Sequence, residues 1–93
     1  MSETLDRLWA TIESRKVDPP PGSYTASLFA AGEIEMAKKV GEEAIEVIVA
    51  AQREGPERIA SEAADLVYHL MVLLAAHNVP WANVETELAR RAR

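Results

Sequence analysis

The stretch from Pro56 to His77 leaves this chain little choice of fold. Placed at about 100° per residue with Glu62 at zero, Leu66, Val67, Leu70, Met71, Val72, Leu73 and Leu74 surround nearly the whole circumference of a helix. A helix that is apolar on so many sides has to be covered on as many. One strip breaks the pattern, because Glu62, Asp65 and His69 fall within a stripe about 60° wide. The rest of the chain must therefore supply both an apolar coat and a partner for these polar groups.

Leu5, Leu8, Trp9 and Ile12 recur at helical spacing and predict an amphipathic helix from Ser2 to Lys16. Asp18-Pro19-Pro20-Pro21-Gly22 cannot continue it, since three prolines lack amide donors, and a loop leads into Ser23-Tyr24-Thr25. Leu28, Phe29, Ala30 and Ala31 predict one short helical turn closed by Gly32, followed by a long helix from Glu33 to Glu54. Gly55 stops that helix and Pro56 suits the first turn of the next, with Asn78 as a left-handed cap at its far end. After Pro80, Trp81, Val84 and Leu88 mark a short last helix whose Arg90, Arg91 and Arg93 suit the negative end of its dipole. Short turns and the lack of any alternating strand pattern predict an all-α fold, an antiparallel helical bundle of about four helices in one domain, residues 1–93. A domain near this size buries only about 60 to 65% of its unfolded surface, and three short neighbours cannot enclose the 56–77 helix. A homodimer or higher homo-oligomer built around that helix is expected.

The composition removes several function classes. Hydrophobic residues are 48% of the chain but aromatics only 5%, so Ala, Val, Ile and Leu must build the core. A net charge of -5 argues against a nucleic-acid binder, which needs a basic surface. The absence of cysteine excludes disulfides, thiolate nucleophiles and thiolate zinc sites. Ser2, Glu3 and Asp6 open the chain without the basic, apolar, small-residue progression of a signal peptide, so a cytoplasmic location is expected. The longest apolar stretches, Leu70 to Ala76 and Ala44 to Ala51, read as too short to span a membrane and are accompanied by charges.

Chemistry enters with the polar strips. On the 33–54 helix Lys39, Glu43 and Glu46 share a narrow stripe beside an apolar face of Val40, Ala44, Val47, Ile48 and Ala51. If the two long helices pack antiparallel through Gly55-Pro56, Glu43, Glu46, Glu62 and Asp65 meet at one depth. Carboxylates gathered in a partly buried pocket repel one another and need a compensating cation. Magnesium prefers such hard oxygen ligands and shares its shell with phosphates, which points to hydrolysis of a phosphoanhydride, with Lys39 adding positive charge. Ordinary readings compete at each position. Glu-x-x-Glu is common on solvated faces, whereas Glu62-x-x-Asp65 interrupts the most apolar helix. Glu42 lies about 100° from Glu43, one turn from Lys38, and reads as half of an exposed ion pair. His69 reads as a hydrogen-bonded core histidine, Trp9, Trp81 and Phe29 as packing residues, and Tyr68 as either core or pocket. A di-iron bundle would need Glu-x-x-His pairs, and there are none.

Ser23-Tyr24-Thr25, the segment Lys38-Lys39-Val40-Gly41-Glu42-Glu43-Ala44-Ile45-Glu46 and the segment Glu62-Ala63-Ala64-Asp65-Leu66-Val67-Tyr68-His69-Leu70 together closely resemble the phosphoribosyl-ATP pyrophosphohydrolases of histidine biosynthesis, within the all-α MazG-like superfamily. The resemblance runs from about Leu5 to Arg90. It implies that Glu43, Glu46, Glu62 and Asp65 hold magnesium and carry catalysis, that Lys39 and Lys38 contact phosphate, and that Ser23, Tyr24 and Thr25 lie near the nucleotide or shape its loop. The implied reaction converts phosphoribosyl-ATP, a small-molecule nucleotide, to phosphoribosyl-AMP and pyrophosphate, the second step of the pathway. Many relatives are fused to the cyclohydrolase of the next step, and the length and lack of cysteine imply no such domain here. Two rivals follow from the same residues, a house-cleaning nucleoside triphosphate pyrophosphohydrolase and a non-enzymatic helical dimerisation module.

Overall fold

A computed structural model describes residues 2–92. Five helices make it up: α1 (Glu3–Val17), α2 (Tyr24–Ala31), α3 (Glu33–Arg53), α4 (Pro56–Ala76) and α5 (Trp81–Arg91). No strand occurs among the described residues, and the all-α reading holds. Ser2 caps α1, its Oγ accepting from the Leu5 amide at 3.3 Å. Arg90 and Arg91 stand in the last turn of α5, where both pair with Glu87. Arg93 lies outside the described residues.

The helix count differs from expectation at one place. Ser23-Tyr24-Thr25 reads from composition as a turn, but Ser23 is an N-cap: its Oγ accepts from the Ala26 amide at 3.1 Å and starts the two-turn helix α2. Gly32 then serves as the end of α2 and the start of α3 with φ +103°, a conformation that L side chains rarely adopt.

α3 and α4 pack along their length as an antiparallel hairpin around Glu54 and Gly55. The face that α3 turns inward is not quite the expected one. Met36 and Ala50 are buried and Val40, Glu43, Ala44 and Val47 half-buried, whereas Ile48 and Ala51 are exposed. The inward row Met36, Val40, Glu43, Val47, Ala50 advances by four, three, four and three residues, the spacing that keeps one seam against a neighbouring helix, and Ile48 and Ala51 lie about 100° round from it. This register places a carboxylate, Glu43, in the seam.

The core gathers Ile12, Leu28, Met36, Met71, Val72, Ala75 and Trp81, with Leu5, Leu8, Trp9, Phe29, Leu70, Leu74 and Val84 packed around them. α4 has a length and composition sufficient to cross a membrane, which corrects the expectation that no segment reaches that length. Its contacts with α1, α2, α3 and α5, and the polar residues Glu62, Asp65 and His69 along it, are those of a central helix in a bundle.

Lys16 ties the end of α1 to the end of α4. Its Nζ donates to the Ala75 carbonyl at 2.7 Å and to Asn78 Oδ1 at 2.6 Å, placing a cation at the negative end of the α4 dipole. Asn78 takes the left-handed conformation expected of it, φ 59°. Replacing Lys16 with Met removes both bonds and is expected to lower unfolding free energy by about 1 to 2 kcal/mol, read from urea denaturation. An unchanged midpoint would show that water caps α4 equally well.

Candidate metal centre

Glu43 from the α3 seam and Glu62 and Asp65 from the facing turn of α4 bring carboxylate oxygens within 4.8 Å of one another. Glu62 is 7% exposed, Glu43 half-buried and Asp65 exposed. Glu46 is exposed and outside this tight group, although its charge reaches Glu62. Three of the four expected carboxylates thus converge, and the fourth stands at the margin.

Glu62 feels several opposing influences. Burial raises its pKa most, the Arg58 guanidinium pulls it back, and the charges of Glu46, Asp65 and Glu43 raise it again, leaving it above the ordinary glutamate range. Arg58 pairs with Glu62 one turn along α4 and donates from Nε to Glu54 Oε1 at 3.3 Å. The sequence signal for Arg58 is slight, only its place four residues before Glu62 and four after Glu54.

Folded Glu62 keeps its proton to higher pH than it does in the unfolded chain, so just above the ordinary glutamate range folding takes up a proton. Its contribution to metal-free stability therefore grows as pH falls through that range and is lost as pH rises. Glu87 acts in the opposite sense, its pKa lowered by hydrogen bonds from Arg90 and Arg91, so its contribution fades at still lower pH. The Glu62→Gln variant isolates the first effect. In EDTA it should melt above the native protein at neutral pH, with the gap closing as the pH approaches 4.5. A gap independent of pH would remove Glu62 as the source.

A second polar set joins α2 to α4. Buried His69 meets the Asp65 carbonyl through Nδ1 at 2.8 Å, and since that oxygen only accepts, Nδ1 carries a proton. The other ring nitrogen, Nε2, forms a hydrogen bond with the Tyr24 hydroxyl at 3.1 Å. Thr25 Oγ1 and the Tyr68 hydroxyl lie 2.5 Å apart, and the Tyr24 and Tyr68 rings stack at 6.2 Å. Burial raises the Tyr68 pKa, so its hydroxyl stays protonated. His69 is the hydrogen-bonded core histidine that its position suggests, while Tyr68 belongs to both core and polar set.

Ser23 and Tyr24 also line an open pocket of about 570 Å³ together with Pro19, Pro20, Gly22 and Ser27. Thr25 turns instead to Tyr68. Glu42 pairs with Lys39 at 3.6 Å, not with Lys38 as its spacing suggests, and Lys38 is exposed. The donors that meet at Glu62 are all carboxylate oxygens, a set suited to a hard divalent cation.

The family model for phosphoribosyl-ATP pyrophosphohydrolase matches residues 5–92. The phosphoribosyl-ATP pyrophosphatase of Metallosphaera sedula is 50% identical over 93 residues, all of both chains. That of Ignicoccus hospitalis is 48% identical over 93 residues, all of this chain and 91% of its own. That of Rhizorhabdus wittichii is 50% identical over 91 residues, covering 98% of this chain and 86% of its own.

Proposed function

The chain belongs to the phosphoribosyl-ATP pyrophosphohydrolase family, and we propose that it hydrolyses phosphoribosyl-ATP to phosphoribosyl-AMP and pyrophosphate in cytoplasmic histidine biosynthesis, using magnesium held by Glu43, Glu62 and Asp65 with Glu46 beside them. The observation that carries the metal assignment is a buried carboxylate, Glu62, whose oxygen lies within 4.8 Å of ligand atoms on Glu43 and Asp65. Such a cluster is repulsive until a cation compensates it.

When bound, magnesium supplies charge neutralisation at the phosphate oxygens and polarises the scissile anhydride. The protein does the rest by placement. Lys39, on the same stripe of α3 as Glu43 and Glu46, exchanges Glu42 for a phosphate, and exposed Lys38 extends that positive edge. Tyr24 offers an exposed ring at the pocket of the proline loop, where a base or ribose can rest, and its hydroxyl is held by His69. Thr25 fixes Tyr68 behind it, and Ser23 holds the start of α2. Glu46, outside the tight group, keeps a carboxylate to take the proton of the attacking water as the bond from the α-phosphorus to pyrophosphate breaks.

The deciding experiment offers phosphoribosyl-ATP and, separately, dUTP and a panel of other nucleoside triphosphates, with magnesium or with EDTA. Pyrophosphate is expected from phosphoribosyl-ATP, only with the metal. Preference for dUTP or a damaged nucleotide would instead mark a house-cleaning enzyme. No release from any of them, with no magnesium-induced rise in melting temperature, would mark a helical dimerisation module.

A further inference from the structure

Arg58 occupies an unfavourable place in its helix. Pro56 opens α4, so Arg58 stands in the first turn, at the positive end of the helix dipole, where Glu57 is the better suited neighbour. Its two carboxylate partners offset that placement. Nε reaches Glu54, and Nη2 pairs with Glu62 Oε2. The partners are unequal in exposure: the Arg58 side chain is 57% exposed, that of Glu62 9%. A buried carboxylate is thus neutralised by a cation on a long arm that stays largely in water, and such an arm can leave without unpacking anything. Glu62 is also one of the three groups whose oxygens meet within 4.8 Å, so a divalent cation there and Arg58 seek the same carboxylate.

We propose that Arg58 is an exchangeable counter-ion: it neutralises Glu62 while no divalent cation is bound, then yields Glu62 to the cation and gives its own charge to a substrate phosphate. The inference rests on the metal assignment of the preceding section. Its chemistry is simple competition. A guanidinium on Glu62 both occupies an oxygen and repels an arriving dication, and once displaced it has the planar fork that suits a phosphate.

The test uses the full chain, magnesium alone, and inorganic pyrophosphate as the phosphate probe. Arg58→Gln is expected to bind magnesium about three- to tenfold more tightly than the native protein in calorimetric titration without substrate, and Arg58→Lys to lie close to native. In EDTA the Gln variant should melt lower, because Glu62 has lost its partner, so magnesium should raise its melting temperature more than it raises the native one. With magnesium present, pyrophosphate affinity should fall about tenfold in the Gln variant, and KM for phosphoribosyl-ATP should change more than kcat. Equal or weaker magnesium binding by Arg58→Gln would overturn the competition, leaving Arg58 a fixed orienting partner. Unchanged pyrophosphate affinity and KM would overturn the transfer to phosphate. A native protein that binds no magnesium would instead remove the metal assignment, a failure distinct from either.

Discussion

Glu62→Gln and Asp65→Asn are each expected to lower turnover of phosphoribosyl-ATP by at least about a hundredfold, because loss of a direct ligand should exceed the 10- to 100-fold cost typical of losing a group behind one. Both substitutions keep side-chain shape and remove ligand charge, so circular dichroism should show unchanged helix content. The two sites differ in a way that sharpens the test. Glu62 is buried, so Gln there also relieves burial of a charge and stabilises the metal-free chain, whereas Asp65 is exposed and Asn should be nearly silent in stability. Loss of activity in both, with stability raised in the Glu62 variant and unchanged in the Asp65 variant, would separate catalysis from folding. Glu42 and Glu43 provide an internal control on α3. Glu43 lies in the helix seam with its oxygen in the cluster, while Glu42 pairs with Lys39 in solvent, so Glu42→Gln should retain most of the activity that Glu43→Gln loses. Near-normal turnover in both α4 variants would sink the ligand assignment, and equal loss at Glu42 and Glu43 would bring Glu42 into the site.

The parts of this arrangement visible in the sequence are those written in local periodicity. α4 is recognisable because its second half, from Leu66 to Ala76, is apolar apart from Tyr68 and His69, and Glu62 and Asp65 stand out because they lie on the strip that His69 continues. Glu43 can be placed opposite them only once α3 and α4 are folded back through Gly55, a step that helix signals at Gly55-Pro56 supply. α2 is harder to read. Its eight residues, YTASLFAA, have almost no polar face to give a period, and Ser23 is its main start signal. The exposure of Ile48 is hidden for a related reason: a broad apolar stripe on α3 spans the 100° that separates it from the seam. The Tyr24–His69 bond joins residues 45 apart and exists only because α2 docks on α4, which no local pattern specifies. Arg58 escaped because a helical wheel assigns a face and ignores the reach of a long side chain that bridges two turns.

In solution the protein is expected at no less than twice its 10.2 kDa chain mass. The reason is the apolar surface that one chain leaves uncovered. On α3, Ile34 is 83% exposed, Ile45 61% and Ile48 59%, and these three share one stripe. On α4, Leu66, Leu70, Leu73 and Leu74 are only half-buried. Gly41 lies on the same stripe of α3, and a Cβ there would meet nothing within 4 Å of its own chain. A glycine inside a helix costs about 0.5 to 1 kcal/mol relative to alanine, so close approach of a second copy is the reading that gives this position a purpose. Fully burying each large aliphatic side chain contributes about 1.5 to 3 kcal/mol, and several together are needed to exceed the roughly 4 to 15 kcal/mol lost in association. Each chain carries a charge of -5, so the contact is expected to run through this isoleucine stripe, which Lys38 borders, rather than through the acidic faces. The substrate adds a second reason: a nucleotide bearing a triphosphate and a further phosphoribosyl group is larger than the cleft between two helices, so a second subunit is expected to complete its pocket. Ile48→Glu places a carboxylate in the stripe and should yield a monomer that keeps its helices but loses most of its activity. Light scattering at micromolar concentration, with and without magnesium, measures the mass directly. A fully active monomer of one chain mass would mean that the α3 stripe belongs to solvent and that a single chain encloses the whole substrate.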